Sequence, residues 1–175
     1  MTEPVIRPAV DTDAAALGAL GRETFIDTFV AGFGIPYPAE DLAAFLDASF
    51  NAGAIRAKLN EPGAAWWVAE RDGELLAFAN TGPNTLPHPD ARPSHAELRR
   101  LYVAKRAQGL GLGTKLLAVA LEWMETHTDG PLWIGVWSGN LKAQKLYAAW
   151  GFEKAGAYQY PVGRWLDDEF ILRRS

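Results

Sequence analysis

The most constraining feature of the sequence is a glycine-rich turn between a short apolar run and a long helical pattern. The segment from Glu97 to Met124 contains Gln108-Gly109-Leu110-Gly111-Leu112-Gly113-Thr114 and then carries apolar residues at helical spacing. Glycine lets backbone N–H groups approach a ligand closely, and the free amides and positive dipole end of a helix favour a bound anion. The segment therefore predicts a strand, an anion-binding turn and a helix, with a ligand that carries phosphate or pyrophosphate.

Two common phosphate-binding motifs do not fit this turn. A Walker loop requires Gly-Lys-Ser/Thr at its end, but Thr114 separates Gly113 from Lys115. The dinucleotide fingerprint requires a third glycine five residues after the first, and Thr114 occupies that position relative to Gly109. The acidic Asp129 also precedes the next apolar strand instead of ending it. We therefore discount both nucleotide-binding interpretations.

The pattern that fits is Q-x-x-G-x-G, which is met by Gln108, Gly111 and Gly113. With this loop the chain resembles the GNAT family of N-acetyltransferases, where the motif binds the pyrophosphate of acetyl-CoA. The run 97–103 resembles the family's central strand, and the run 140–152 resembles its later N-x-x-A-x-x-L-Y-x-x-x-G-F segment. Two motifs in the right order are harder to obtain by chance than one short pattern. The resemblance covers nearly the whole chain and implies an acyltransferase that uses acetyl-CoA as cosubstrate.

The resemblance assigns two groups of residues to acetyl-CoA. The backbone of Leu101, Tyr102 and Val103 is expected to pair with the pantetheine arm, whose two amides can bind a strand edge as a peptide does. The residues expected to hold the pyrophosphate are Gln108, Gly109, Leu110, Gly111, Gly113 and Thr114. Asn140 resembles the family position that hydrogen-bonds the pantetheine arm, and a plain helix N-cap is a compatible alternative.

Direct transfer to an amine requires a proton acceptor and a group that protonates the departing thiolate. Tyr147 stands where the resemblance places a tyrosine that protonates the thiolate. Phenol and thiol have ordinary pKa values of about 10 and 8.5, so proton transfer is not matched in solution, but a modest shift in a closed site would suffice. An aromatic core residue is the alternative for Tyr147. Glu97 is the candidate that accepts the amine proton through water, with an ion pair to Arg99 or Arg100 as the alternative, because a bulge would obscure which way the strand points Glu97.

Composition agrees with a compact one-domain enzyme without cysteine chemistry, but it does not single one out. The chain has 175 residues, 49% of them hydrophobic, and no Cys, which excludes disulfides and an acyl-cysteine intermediate. Its three His residues have no metal-ligand spacing, so we expect no metal. The net charge of -4 argues weakly against a nucleic-acid partner. The absence of a membrane-length apolar run and of a secretory signal predicts no membrane partner and a cytoplasmic protein.

The apolar pattern predicts a single α/β domain over residues 1–175, with a mixed, mostly antiparallel sheet flanked by helices. The predicted strands are 5–8, 65–70, 74–81, 97–103, 132–137, 155–160 and 169–172. Asp72-Gly73 indicates a hairpin between the second and third strands. Helices are predicted before and after a break at 32–38, around 54–59, along 112–124 and along 141–150, which leaves a strand-helix-strand unit around the cofactor.

The acceptor is expected to be a small-molecule amine. The segments around 24–29 and 37–46 are similar to a bacterial subgroup that includes polyamine N-acetyltransferases, which implies acidic pocket walls. The candidates for those walls are Glu23, Asp27, Glu40, Asp41 and the run 167–169, with solvated surface charge as the alternative. Trp66, Trp67 and Trp137 are candidates for the pocket or for a homodimer contact. A protein N-terminus or lysine as acceptor, and a non-catalytic acyl-CoA-binding sensor, remain alternative functions.

Overall fold

Seven strands form one continuous sheet in the computed structural model, which describes residues 2–175. The strands are β1 (Val5–Pro8), β2 (Ala65–Arg71), β3 (Glu74–Pro83), β4 (Ala96–Val103), β5 (Leu132–Trp137), β6 (Glu153–Val162) and β7 (Trp165–Arg174). Their order across the sheet is β1-β2-β3-β4-β5-β7-β6. Every neighbouring pair is antiparallel except β4 and β5, which run parallel. The predicted α/β fold class is confirmed.

Five α-helices flank this sheet. They are α1 (Ala14–Phe25), α2 (Ala39–Phe50), α3 (Ala52–Leu59), α4 (Leu112–His127) and α5 (Leu141–Ala149). A π-helical turn, Ile26–Gly32, continues α1, and such turns are frequent at functional sites. The helices α1 and α4 both pack against β3 and β4, so the strand that precedes the glycine-rich turn lies deep in the molecule.

Helix α4 is anchored to the sheet by its apolar stripe. Leu112, Leu116, Ala120 and Met124 recur every four residues and are each at most 2% exposed, on the face that contacts β2, β3 and β4. Burying a leucine side chain stabilises the fold by roughly 1.5–3 kcal/mol. This packing fixes the N-terminus of α4, and with it the glycine-rich turn, against the end of β4.

The parallel pair β4 and β5 separates along its length. Cα pairing between the two strands is limited to residues 96–98 of β4 and 132–134 of β5. On its other side, β4 stays paired with β3 up to Val103. From residue 99 onward, the β4 edge that faces β5 therefore has no strand partner, and a gap opens inside the sheet beside the glycine-rich turn.

The last two strands are longer than the sequence pattern predicts. The predicted strands 155–160 and 169–172 lie within β6 and β7, which together form a hairpin closed at Gly163. Because β6 is an edge strand, it tolerates Pro161 and many exposed polar residues, which weaken the sequence signal for a strand. The extra length carries the hairpin across the gap beside β5.

Two of the predicted pocket tryptophans belong to the core instead. Trp66 is 5% exposed and Trp67 is 8% exposed, and their rings pack against Phe78 and Trp123 respectively. Their prediction as pocket or dimer residues is wrong, because β2 lies between two strands and both of its faces are covered. Within residues 2–175, no helix combines the length and apolarity needed to cross a membrane.

Candidate active site

The glycine-rich turn has a backbone that only glycine adopts without strain. Gly109 has φ 85° and Gly111 has φ 73°, in the left-handed region that costs a residue with a side chain roughly 1–2 kcal/mol. Gly111 is the N-cap of α4, and the first helical bond of α4 runs from the Lys115 amide to the Gly111 carbonyl at 3.1 Å. The amides at the start of α4 therefore have no helical partner and are free for an anion.

A cavity of about 800 Å³ lies against this turn, and we call it the glycine-loop cavity. The residues predicted to hold pyrophosphate that line it are Gln108, Gly109, Gly111, Gly113 and Thr114. Leu110 is not among its lining residues, and its side chain is 43% exposed. The turn thus presents backbone and small side chains to the cavity, as an anion-binding loop requires.

The edge of β4 lines the same cavity. Leu101, Tyr102 and Val103 border it, and their strand is paired with β3 on one side only. The free edge can pair with an extended ligand that carries amides. The structure therefore brings together the two groups that the sequence assigned to acetyl-CoA, one at each end of a continuous groove.

A second cavity of about 300 Å³ continues from the first, and we call it the tyrosine cavity. All five tyrosines of the chain line it, namely Tyr37, Tyr102, Tyr147, Tyr158 and Tyr160. The residues that line both cavities are Phe29, Leu101, Tyr102, Asn140, Ala143 and Tyr147. These six residues form the junction at which ligands of the two cavities would meet.

Tyr147 lies at this junction and also belongs to the core. Its side chain is 7% exposed and packs against Phe152. Burial raises the pKa of Tyr147, and neighbouring Tyr102 raises it further. This shift moves the pKa of Tyr147 further from the ordinary pKa of a thiol in water. The same burial would also raise the pKa of a thiol beside it, so a phenol that is protonated at neutral pH still faces a more basic thiolate than one in water.

Asn140 is the N-cap of α5. Its side-chain oxygen accepts a hydrogen bond from the Ala143 amide at 3.1 Å, which satisfies one of the free amides at the start of the helix. The N-cap role is confirmed. The side chain also lines both cavities, so its predicted contact with a pantetheine arm is compatible with this position and stays a prediction.

Glu97 points into the tyrosine cavity and not toward an arginine. One carboxylate oxygen accepts hydrogen bonds from the amide and hydroxyl of Thr85, at 2.8 and 2.9 Å. Arg99 instead pairs with Glu61 and donates to the Pro83 carbonyl. The alternative of an ion pair between Glu97 and either arginine is therefore wrong. Burial raises the pKa of Glu97, although the bonds from Thr85 oppose the shift.

A bulge explains this orientation. In the β3–β4 register, Asn80 pairs with Arg100 and Thr81 pairs with Leu98, which leaves Arg99 as an extra residue. Strict alternation would point residues three apart to opposite faces of the sheet. With the extra residue, Glu97 and Arg100 both line the tyrosine cavity.

Glu169 is a further candidate proton acceptor. The sequence pattern predicts it only as one member of the acidic run 167–169. It lies on β7 beside Trp137 of β5 and lines the tyrosine cavity. Burial raises its pKa to about 8, and nearby Asp167 contributes to the shift. A carboxylate with that pKa can accept a proton near neutral pH. The alternation of Trp165, Asp167 and Glu169 along β7 was the available signal, because residues two apart share a face.

The other acidic candidates have different roles. Asp167 accepts hydrogen bonds from Tyr37 at 2.6 Å and Trp165 at 2.9 Å, and so holds the cavity wall. Glu23 forms an ion pair with Arg106, and Asp41 forms one with Arg164; neither acidic residue lines the tyrosine cavity. Glu40 is exposed to solvent, and Asp168 accepts a hydrogen bond from Gln159. Asp27 lines the glycine-loop cavity.

Trp137 lines the tyrosine cavity, as predicted. In the described part of the chain, no group of three or more His, Cys, Asp or Glu side chains could hold a metal ion.

Comparison with known proteins agrees with this geometry. Residues 23–152 match the model of the acetyltransferase (GNAT) family. Over 175 residues the chain is 28% identical to an uncharacterised N-acetyltransferase in the pepI 3' region of Lactobacillus delbrueckii subsp. lactis. This match covers 100% of this chain and 99% of that protein.

Two further relatives extend the comparison. The chain is 33% identical over 121 residues to phosphinothricin N-acetyltransferase of Alcaligenes faecalis, a match that covers 67% of this chain and 60% of the relative. The solved structure of PaiA N-acetyltransferase from Thermoplasma acidophilum, in complex with coenzyme A, superposes with a TM-score of 0.75 at 20% identity and covers 99% of both chains. This second likeness establishes the shared fold.

Proposed function

The chain belongs to the acetyltransferase (GNAT) family, and from this premise we propose that it transfers the acetyl group of acetyl-CoA directly to a primary amine of a small molecule. The observation that carries the proposal is the junction of the two cavities at Asn140 and Tyr147. A donor in the glycine-loop cavity and an acceptor in the tyrosine cavity would place their reacting groups there.

The donor occupies the glycine-loop cavity. Its pyrophosphate binds the free amides that begin α4, because these amides and the helix dipole favour negative charge. Its pantetheine arm pairs with the free edge of Leu101 to Val103. The length of this groove then carries the thioester to Tyr147. Binding in this orientation leaves the carbonyl carbon open to attack from the tyrosine cavity.

The acceptor amine attacks the carbonyl carbon of the thioester. A C–N bond forms, the C–S bond breaks, and the products are an acetamide and free CoA. The thiolate takes its proton from the Tyr147 hydroxyl, and the proton of the amine passes to a cavity carboxylate, Glu97 or Glu169, directly or through water. Because the chain has no Cys, no acyl-cysteine intermediate forms.

A small acceptor suits the size of the tyrosine cavity. Its volume of about 300 Å³ is at the lower end of small-molecule sites, and aromatic rings from α2, β6 and the π-helical turn surround it. The relative from Alcaligenes faecalis is itself named for a small-molecule acceptor. A long protein segment would have less room than a compact amine.

Release of free CoA thiol from acetyl-CoA tests the proposal. The acceptors are amino acids, simple primary amines, spermidine, spermine and short peptides. We expect turnover with a small-molecule class and none with acetyl-CoA alone. Turnover with peptides only would replace the proposal with protein acetylation. Calorimetric binding of CoA without turnover on any acceptor would replace it with a non-catalytic acyl-CoA sensor.

A further inference from the structure

The tyrosine cavity contains two cations that no carboxylate neutralises. Lys58 and Arg100 both line it, and neither forms an ion pair with any of residues 2–175. The third cation of the cavity, Arg99, is paired with Glu61. Buried charges in proteins are usually paired, and both of these side chains are partly buried, so two unpaired cations in one small cavity require an explanation.

The surroundings of Arg100 place its guanidinium within the cavity. Its Cζ lies 4.6 Å from the centre of the Phe50 ring. Its charge also lowers the pKa of Tyr102 and Tyr160, against the larger effect of burial, which indicates that the guanidinium lies close to both hydroxyls. The aromatic contact orients Arg100, and a guanidinium has five N–H donors, so donors beyond the one that faces Tyr102 are available to a ligand.

Lys58 lies near this guanidinium, and no carboxylate forms an ion pair with its ammonium group in residues 2–175. Burial lowers the pKa of Lys58 to about 8, and repulsion from Arg100 and Arg99 adds to the shift, while the nearby Glu61 opposes it. Since Glu61 is engaged by Arg99, the two cations form a region of uncompensated positive charge. A bound anion would relieve the repulsion between them.

A third polar group faces the same region and lacks a partner. Asn80 is 3% exposed, lines the tyrosine cavity, and pairs with Arg100 in the β3–β4 register. Its side-chain oxygen has no hydrogen-bond partner within the chain's described residues. Buried side-chain polar atoms are usually bonded, and an amide oxygen needs a donor, so this oxygen can accept a hydrogen bond from a ligand N–H but not from a carboxylate.

The carboxylates of the cavity do not pair with these cations. Glu97 accepts its hydrogen bonds from Thr85, and neither Glu97 nor Glu169 forms an ion pair with any of residues 2–175. Neither cation lines the glycine-loop cavity, so they are not placed to hold the phosphates of CoA. A ligand that suits both the junction and the two cations carries an amine and an anionic group.

We propose that Arg100 and Lys58 form a carboxylate subsite, so that the acceptor is an amino acid whose amine faces the junction. This inference rests on the proposed acetyltransferase function and gives its acceptor class. A planar guanidinium binds a carboxylate through two parallel hydrogen bonds, and the lysine adds a second charge. A polyamine, whose charges are all positive, would meet repulsion at this end of the cavity.

The test compares each amino acid with its own α-carboxamide, which has nearly the same shape without the negative charge. The assay measures free CoA thiol, with rates expressed per free amine, on wild type and on Arg100→Gln and Lys58→Gln. Arg56→Gln is the matched control, because it removes a charge from the same helix as Lys58 without lining either cavity.

We expect wild type to prefer the best carboxylate over its carboxamide by at least about tenfold in kcat/KM, the effect of one charged hydrogen bond. Arg100→Gln should remove most of this preference by slowing the carboxylate more than the carboxamide, and Arg56→Gln should keep the preference. Equal use of both acceptors by wild type, or a better rate with spermidine, would overturn the subsite while leaving the acetyltransferase function established.

A binding measurement separates the subsite from the chemistry. Calorimetric titration of the preferred amino acid into the CoA complex reports affinity without turnover. We expect Arg100→Gln to weaken this binding about tenfold or more, with CoA affinity unchanged. Unchanged amino-acid affinity in this variant overturns the subsite. Absence of turnover with every acceptor class, in contrast, overturns the proposed function itself.

Discussion

At the scale of single residues, Tyr147 is the proposed proton donor to the thiolate. Its ring packs in the core and its side chain borders both cavities. Replacing it by phenylalanine keeps the packing and removes only the hydroxyl. We expect Tyr147→Phe to lower kcat about 100-fold or more, the usual size of a general-acid contribution, with the Kd for CoA nearly unchanged by calorimetry.

Tyr158→Phe is the control that distinguishes loss of the Tyr147 hydroxyl from loss of any other hydroxyl in the tyrosine cavity. Tyr158 lines the tyrosine cavity but not the glycine-loop cavity, so its hydroxyl is remote from the thioester. Tyr158→Phe should change mainly the KM of the acceptor. If Tyr147→Phe and Tyr158→Phe both leave kcat unaltered, Tyr147 has no part in protonating the thiolate.

The raised pKa of Glu169 predicts a pH dependence. A carboxylate accepts a proton only when it is ionised, and burial raises the pKa of Glu169 to about 8. The group is therefore protonated below that pH and active above it. We expect kcat/KM, expressed per free amine, to rise with pH through about 8, and Glu169→Gln to remove this rise and lower the plateau about 100-fold.

Glu97→Gln is the matched comparison for this pH profile. Glu97 lines the same cavity, but hydrogen bonds from Thr85 fix one of its oxygens. If Glu97 were the proton acceptor, Glu169→Gln would retain the rise and Glu97→Gln would lose it. The two profiles assign the proton to one carboxylate.

At the scale of elements, local features were predictable and long-range ones were not. The glycine turn, the N-cap at Asn140 and the strand Leu132–Trp137 depend on neighbouring residues, and the sequence pattern predicts each of them. The orientation of Glu97 depends on a bulge relative to β3. The role of Glu169 depends on how the β6–β7 hairpin crosses the gap beside β5, which no local pattern encodes.

The tyrosine cavity illustrates the same limit. Tyr37 follows the π-helical turn, whereas Tyr158 and Tyr160 lie on an edge strand more than a hundred residues later. The hydrogen bond from Tyr37 to Asp167 joins these regions. Sequence spacing cannot reveal such a contact, because the two segments meet only when β7 pairs with β5.

Two glycine variants can distinguish the backbone strain of the turn before α4 from its role in binding CoA. Gly111 has φ 73° and Gly73, in the β2–β3 hairpin, has φ 81°, with open space around both. An alanine at either site should lower the free energy of unfolding by about 1–2 kcal/mol through left-handed strain. Only Gly111→Ala should also weaken CoA binding, by about tenfold or more, because it displaces the anion-binding amides.

Chemical denaturation and calorimetry measure these two effects on the same pair of variants. Gly73→Ala is the control for strain, since Gly73 lines neither cavity. Equal CoA affinity for Gly111→Ala and Gly73→Ala, at equal loss of stability, would show that the turn does not hold the pyrophosphate.

At the scale of the whole molecule, two cavities meet at the gap between β4 and β5, so the fold has room for two substrates. One cavity opens toward the start of α4 and the other is closed by the β6–β7 hairpin and the π-helical turn. Their shared wall contains Asn140 and Tyr147. A donor and an acceptor can therefore approach from opposite sides and react without an intermediate on the protein.

The most direct test of acetyl transfer between the two cavities follows a labelled acetyl group. Wild-type protein is mixed with acetyl-CoA that carries a ¹³C-labelled acetyl group and with the best acceptor, and mass spectrometry records the amine product, free CoA and the intact protein. We expect label on the amine nitrogen in equimolar amount with free CoA, and no mass change of the protein. Label that stays on the protein, or that appears only as acetate, would contradict direct transfer between the two cavities.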